Sequence, residues 1–432
     1  MSSVAHNQGP VSPLRVSVAS MVGSILEWYD FFLFGFVAAL VFGKLFFPSY
    51  SPLVGTLASF ATLAVGFVAR PLGSAIFGHF GDRIGRKKML ITTLALMGGS
   101  TFLIGLLPTY SHVGIWAPVL LILCRFIQGV ALGGEWGGAV LMAVEYSPKG
   151  TKGFYGSIVQ VGCPAGLALG ALMFYYSSSL LGEAEFLSWG WRVPFLVSIV
   201  LFFCGFYIRS KTAETPVFQE LVQHGEIVNF PIVELFRRHM KELVCTALVY
   251  LASSTVPFYV AWVFLAYYAT TVLHMQQADV LMGVVAANAI MSIVIIFVGR
   301  LSDRIGTERV LYAGFFFMAL AAYPVFWLTD TANVLYLWLA MFLVAIPLWC
   351  TFAVLPVFFS ETFPGQLRYT GISFGSQAST IIGGLVPMFA TAVLPHYGTW
   401  PISLALVVCE VLGFVAVLSL RKPESRTVLV AS

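Results

Sequence analysis

Charge is the scarcest property of this sequence. Of 432 residues, 23 are Lys or Arg and 19 are Asp or Glu, whereas an average soluble protein has roughly a quarter of its residues charged. With 59% hydrophobic residues and a mean hydropathy of +0.90, there is too little polar surface to clothe a soluble multidomain enzyme. There is also too much apolar surface for a disordered chain. Cysteine is sparse as well. Cys124, Cys163, Cys204, Cys245, Cys350 and Cys409 lie in different apolar runs with no metal-ligand or redox spacing, and read as small buried hydrophobes. The seven histidines form no His-x-x-x-His pair, so no metal centre is expected. No nucleophile–base pair or phosphate loop stands out, so neither an enzyme nor a bound cofactor is expected.

What remains is length and apolarity. Twelve runs reach the roughly 20 residues a spanning helix needs: 17–46, 53–78, 89–108, 116–146, 154–180, 193–209, 242–271, 280–299, 309–328, 334–360, 371–394 and 400–420. They are long and unbroken, which excludes the ten-residue alternation of a membrane barrel. The first lacks a cleavage site and carries Glu27-Trp-Tyr-Asp30 before its apolar stretch, so it reads as an uncleaved span. With the N-terminus placed in the cytoplasm, every Lys and Arg except Lys44, Arg70, Arg125 and Arg192 falls in cytoplasmic segments. This positive-inside bias puts both termini in the cytoplasm. The net charge of +4 is then a topology signal, and no nucleic-acid partner is expected.

One segment occurs twice. Gly78-His-Phe-Gly-Asp82-Arg83-Ile-Gly85-Arg86-Lys87-Lys88 follows the second run, and Gly299-Arg-Leu-Ser-Asp303-Arg304-Ile-Gly306-Thr-Glu-Arg309 follows the eighth. A second echo pairs Glu145-Tyr-Ser-Pro148 with Glu361-Thr-Phe-Pro364, the latter followed by Arg368. Two copies in matching places indicate a duplication. The chain is expected to be an all-α polytopic membrane protein of 12 transmembrane helices in two six-helix pseudo-repeats. Residues 1–209 form one bundle, 210–241 a cytoplasmic connection and 242–432 the other. The Asp residues suit the positive N-terminus of a neighbouring helix, and the Arg of the motif is expected to bridge to Glu145. Gly78, Asp82, Arg83, Gly85, Arg86, Glu145, Asp303, Arg304, Glu361 and Arg368 are thus candidates for a cytoplasmic gate, with the degraded second copy the weaker.

Gly78–Lys88 resembles the loop signature of the major facilitator superfamily. Further stretches resemble its metabolite:proton symporter family: Glu27–Phe31, Arg70-Pro71, Arg125-Phe-Ile-Gln128-Gly129, Gly133–Gly138, Trp189–Phe195 and Glu214–Phe218. Gly55–Thr62, Gly134–Gly138 and Val159–Gly162 are similar to the bacterial shikimate-transporter branch. The resemblance implies a bacterial inner-membrane symporter, coupling proton entry to uptake of a small organic acid or zwitterion at the interface of the halves. Its expected partners are that solute, protons and the lipid bilayer, and it is expected to act as a monomer. No heptads follow the last run, so the osmosensing tail of one branch is not expected.

Ionisable residues inside spans are costly and usually functional. Six qualify: Glu27, Asp30, Arg70, Arg125, Glu135 and Glu410. Glu27 and Asp30 share one face of the first helix, and Gln128 and Glu135 one stripe of the fourth. Asp30 and Glu135 are the expected proton-coupling pair, with Glu27 third; a purely structural buried ion pair is the alternative. Arg125 and Gln128 are candidates for binding the substrate anion. Arg70 serves either packing and gating or the substrate, and both remain open. Glu410 reads as structural. From the second half, Thr255, Tyr259 and Trp262 sit at helical spacing beside Pro257, with Tyr250, Asn288, Trp349 and Gln377 as further binding candidates. Gly162-Cys-Pro-Ala-Gly166 is an imperfect echo of a Gly-Pro element of drug/proton antiporters. So few embedded cations favour a monocarboxylate over a tricarboxylate. An exporter and a metabolite receptor are the competing readings.

Overall fold

The computed structural model describes residues 12–48 and 52–420. Twelve principal helices follow one another: α1 Pro13–Val37, α2 Pro52–Ile84, α3 Arg86–Leu106, α4 Trp116–Tyr146, α5 Lys152–Ser178, α6 Gly190–Ser210, α7 Met240–Val272, α8 Gln277–Ile305, α9 Thr307–Ala321, α10 Val334–Thr362, α11 Arg368–Tyr397 and α12 Trp400–Leu420. Among the described residues, 11 helices are long and apolar enough to cross a membrane. The exception is α9. The run expected as one span over 309–328 breaks after Ala321, and Pro324, which has no amide hydrogen to donate to the preceding turn, starts the separate helix Pro324–Thr329.

The packing repeats. In the first half α1 lies on α5, α2 and α3 on α4, and α3 on α6. In the second, α7 lies on α11, α8 and α9 on α10, and α9 on α12. The halves meet through α2 on α11 and α5 on α8, contacts that exchange under the same pseudo-symmetry. Gly residues permit the closest crossings. A Cβ on Gly73 would stand 1.8 Å from the Val130 carbonyl oxygen, and one on Gly133 2.1 Å from that of Arg70, so α2 and α4 touch backbone to backbone. Gly162, Gly166 and Gly170 form a matching stripe on α5 against Ser24–Leu33 of α1. The Gly-Cys-Pro-Ala-Gly segment is therefore accounted for by helix packing.

The repeated motif is not a loop. Gly78–Asp82 and Gly299–Asp303 are the last turns of α2 and α8, and only Gly85 (φ +118°) and Gly306 (φ +92°) make the corners. A side chain is strained in that backbone region. The connection between the halves carries two short helices, Pro216–His224 and Pro231–Arg238, lying at the same end of the bundle. Glu214 accepts from the backbone N–H groups of Arg86 (3.1 Å) and Lys87 (3.1 Å), capping α3.

Helix α7 departs from α geometry in three places. Leu251–Thr255, Tyr259–Phe264 and Tyr268–Val272 are π-helical turns, the first two flanking Pro257. Each wraps a surplus residue into the helix. The expected stripe of Thr255, Tyr259 and Trp262 presupposed 3.6 residues per turn, and this helix does not keep that period.

Candidate functional site

At the end bearing the repeated motif, acidic side chains tie each half to the other. Asp82 on α2 accepts from the backbone N–H groups of Tyr369 (3.1 Å) and Thr370 (2.8 Å) and from the Thr370 hydroxyl (2.8 Å), closing the N-terminus of α11. Asp303 on α8 does the same for α5, accepting from Gly153 N–H (2.6 Å) and Phe154 N–H (2.9 Å). Glu145 lies 3.4 Å from Arg86 and 3.0 Å from Arg368, and Glu361 lies 3.1 Å from Lys152. The Arg that meets Glu145 from the motif is thus Arg86, not Arg83. Arg83 and Arg304 are exposed, because each follows an Asp turned toward the other half and one residue rotates the helix face by about 100°. Gly78 faces Thr370 of α11, where a Cβ would meet the backbone at 2.7 Å. Tyr369 donates its hydroxyl to the Gly134 carbonyl (2.9 Å), and Gly137 and Gly138 lie against Ser373 and Tyr369. This end is closed by contacts between the halves.

Halfway along the bundle, α1, α3 and α4 bring four polar side chains together. Asp30 is 2% exposed and accepts from Thr101 Oγ1 (2.7 Å), from Gln128 Nε2 (2.8 and 2.9 Å to its two oxygens) and from Arg125 Nη1 (3.4 Å). Arg125 also donates to Gln128 Oε1 (3.0 Å), and its guanidinium lies 4.2 Å from the Phe34 ring centroid. Gly66 leaves it room, since a Cβ there would approach Arg125 Nε to 3.0 Å. A carboxylate and a guanidinium so enclosed depend on each other. Neutralising Asp30 leaves a buried cation without its counter-charge, which costs several kcal/mol.

Glu135 does not join this group. It forms an ion pair with Arg209 and accepts from Thr93, while Arg209 also donates to the Leu90 carbonyl (2.9 Å). In the sequence Arg209 counts among the cytoplasmic cations, but it closes the last turns of α6 and points back into the bundle. Gly23 makes that possible, because a Cβ there would overlap the guanidinium. Glu27 lies within electrostatic reach of Arg70, Glu135 and Arg209, yet its Oε2 is buried with no hydrogen-bond partner. Arg70 lies against two rings, 5.1 Å from the Phe67 centroid and 5.5 Å from that of Phe31, which are themselves 5.6 Å apart. Glu410 is buried in α12 with Oε1 unpartnered.

The candidates of the second half are scattered. Tyr250 packs against Trp136 (5.2 Å between centroids) and Tyr259 against Phe67 (5.9 Å), both across the seam. Phe258 touches Trp28 (5.7 Å) on one side and Trp349 (6.5 Å) on the other. The indole N–H groups of Trp28 and Trp349 have no protein acceptor, and neither does that of Trp262. Gln377 Oε1 and Asn288 Oδ1 are likewise buried and unpaired, the Asn288 amide donating to Val284 of its own helix (2.8 Å). Thr255 Oγ1 pairs with Ser379 (3.3 Å).

Several participants carry no strong signal in the sequence. Thr93 and Thr101, two turns apart on α3, both face carboxylates, and only their polarity in an apolar run distinguishes them. Gln160 joins the halves by accepting from Trp136 Nε1 (3.0 Å) and donating to the Phe352 carbonyl (2.7 Å).

Two six-helix halves with buried charge between them are the architecture of a membrane transporter, and the comparisons agree. Residues 21–387 match the Major Facilitator Superfamily. The chain is 38% identical over 392 residues to the shikimate transporter of Escherichia coli, covering 89% of each chain. It is 34% identical to the proline/betaine transporter of Salmonella typhimurium, covering 95% of this chain and 84% of that one. The structure of the proton:xylose symporter XylE bound to 6-bromo-6-deoxy-D-glucose superposes with a TM-score of 0.73 over 94% of both chains at 14% identity, a likeness of fold. The chain belongs to the major facilitator superfamily and is a multi-pass membrane transporter.

Proposed function

We propose that this transporter is a proton-coupled symporter that imports a small organic acid of the shikimate type. It does so as a monomer by alternating access, in a bacterial inner membrane with both termini cytoplasmic. The observation that carries the reading is the enclosure of Asp30 with Arg125, Gln128 and Thr101 between three helices of one half. A carboxylate held this way has two states with different partners, and its proton decides between them. In the charged state Asp30 holds α1, α3 and α4 together. In the protonated state the Arg125 bond weakens and the half is free to rock, provided the contacts at the closed end also break. Asp82, Asp303, Glu145 and Glu361 are the groups that must release their partners in the other half. Glu135, expected as the second member of a coupling pair, is assigned to holding α3, α4 and α6 through Arg209.

Uptake of labelled shikimate into proteoliposomes under an imposed pH gradient tests this. Asp30→Asn is expected to abolish accumulation while leaving counterflow, which needs no net proton movement. Full proton-driven accumulation in that variant refutes the coupling assignment. The resemblance to a proline/betaine transporter favours one second reading, a zwitterion as cargo. Betaine and proline belong in the same panel, with aromatic acids, dicarboxylates and citrate.

A further inference from the structure

We propose that Arg70, set beside Phe31 and Phe67 at the seam of the two halves, grips the substrate's carboxylate, with Glu27 as the charge the substrate replaces. This rests on the cargo being a carboxylate, and it assigns the residue that recognises it.

The other buried arginines are occupied. Arg125 is bound to Asp30 and Gln128, Arg209 to Glu135 and the Leu90 carbonyl, and Arg86 to Thr215, the Gly365 carbonyl and Glu145. Arg70 alone among these has neither a hydrogen bond nor an ion pair among the described residues. It is nonetheless only 6% exposed, and its nitrogens are not among the buried polar atoms sealed from contact. The two phenylalanines hold the guanidinium without using its N–H groups, which leaves an edge suited to a bidentate carboxylate. The aromatic wall continues into the second half, since Phe67 packs on Tyr259, and the hydroxyls of Tyr259 and Tyr250 lie within electrostatic reach of Arg70. An anion on Arg70 therefore lies where α1 and α2 face α7, in contact with both halves. One free guanidinium suits one carboxylate.

Glu27 lies one turn before Phe31 on α1. The groups around it are Arg70 on α2, Glu135 on α4, Cys163 on α5, Arg209 on α6 and Tyr250 on α7. Glu135 and Arg209 balance each other, so Glu27 is the counter-charge left for Arg70. A carboxylate arriving at Arg70 opposes Glu27, and the site stays balanced when Glu27 takes up one proton. Glu27 thus keeps the site neutral while the anion is bound, and Asp30 remains the group whose proton drives the conformational change.

The test is shikimate binding to the purified full-length protein by calorimetry, beside its uncharged methyl ester. The wild type is expected to favour the acid over the ester. Arg70→Gln is expected to weaken acid binding about tenfold to a hundredfold and to abolish that preference, a change a packing role would not produce. Arg70→Lys, which keeps the charge without the fork, is expected to fall between, and decides the matter if the Gln variant does not purify as a single species. Glu27→Gln is expected to bind the acid at least as tightly as the wild type. Acid binding within twofold of wild type in both Arg70 variants overturns the proposal, as does a Glu27→Gln variant as weak as Arg70→Gln. A wild type that binds no carboxylate but takes a neutral polyol overturns the proposed function, and the role of Arg70 with it.

Discussion

Replacing Asp82 by Asn tests whether the closed end is held by helix capping. The charged carboxylate accepts three bonds from the first turn of α11. Hydrogen bonds to a charged group are worth about 1.5–3 kcal/mol each, though not additively. Asn keeps one acceptor oxygen and turns an NH2 group toward a backbone N–H, so the variant loses about 2–4 kcal/mol from the closed state alone. That is a factor of about 30 to several hundred in the opening equilibrium. A wild type closed in about 99 molecules of 100 becomes open in roughly one of four at the lower bound. Spin labels at exposed Lys149 and Arg304, in a protein whose six cysteines have been replaced, report the separation of the halves by pulsed electron resonance. A second, longer distance should appear in Asp82→Asn. Asp303→Asn, whose carboxylate accepts two bonds rather than three, should show it more weakly. Lys152→Ala should not show it, because the Lys152–Glu361 pair is exposed and such pairs contribute roughly 0–1 kcal/mol. Distance distributions of Asp82→Asn and wild type that superimpose would refute the capping account.

Two further outcomes follow from the packing. Glu135→Gln leaves Arg209 buried without its counter-charge and should destabilise the protein by about 3–5 kcal/mol; the double variant Glu135→Gln/Arg209→Met should recover part of that in thermal unfolding. Gly73→Ala places a methyl group 1.8 Å from the Val130 carbonyl oxygen. It should force α2 from α4 at a cost of about 3 kcal/mol or more, seen as lost expression, whereas Gly99→Ala, whose Cβ meets nothing within 4 Å, should be neutral.

The fold was legible because burial in lipid demands long apolar helices, and hydropathy reports that demand directly. Asp30, Arg125 and Gln128 were legible for the converse reason: charge inside an apolar run is too costly to be incidental. Thr101 was not, since a threonine in a membrane helix can satisfy its hydroxyl on its own backbone, and this one also does so, on Met97 (2.9 Å). Arg209 was hidden by its position at a helix end, where a basic residue ordinarily faces the headgroups. The Arg209 partner of Glu135 was accordingly not foreseen. The occupancy of Arg70 depends on which side chains three other helices present to it, and no local pattern encodes that.

The three π-turns of α7 give this helix a property that a regular α-helix lacks. In a regular α-helix, deleting one residue rotates everything beyond it by about 100° and draws it in by about 1.5 Å, so a span packed on two sides cannot absorb the loss. A π-turn already contains one residue more than the register needs. Deleting within Leu251–Thr255 or Tyr259–Phe264 returns that turn to ordinary winding and leaves the residues beyond it in phase. Helix α7 is therefore a span in which chain length can vary while the faces stay aligned, and relatives that differ by one residue within it should differ at these turns.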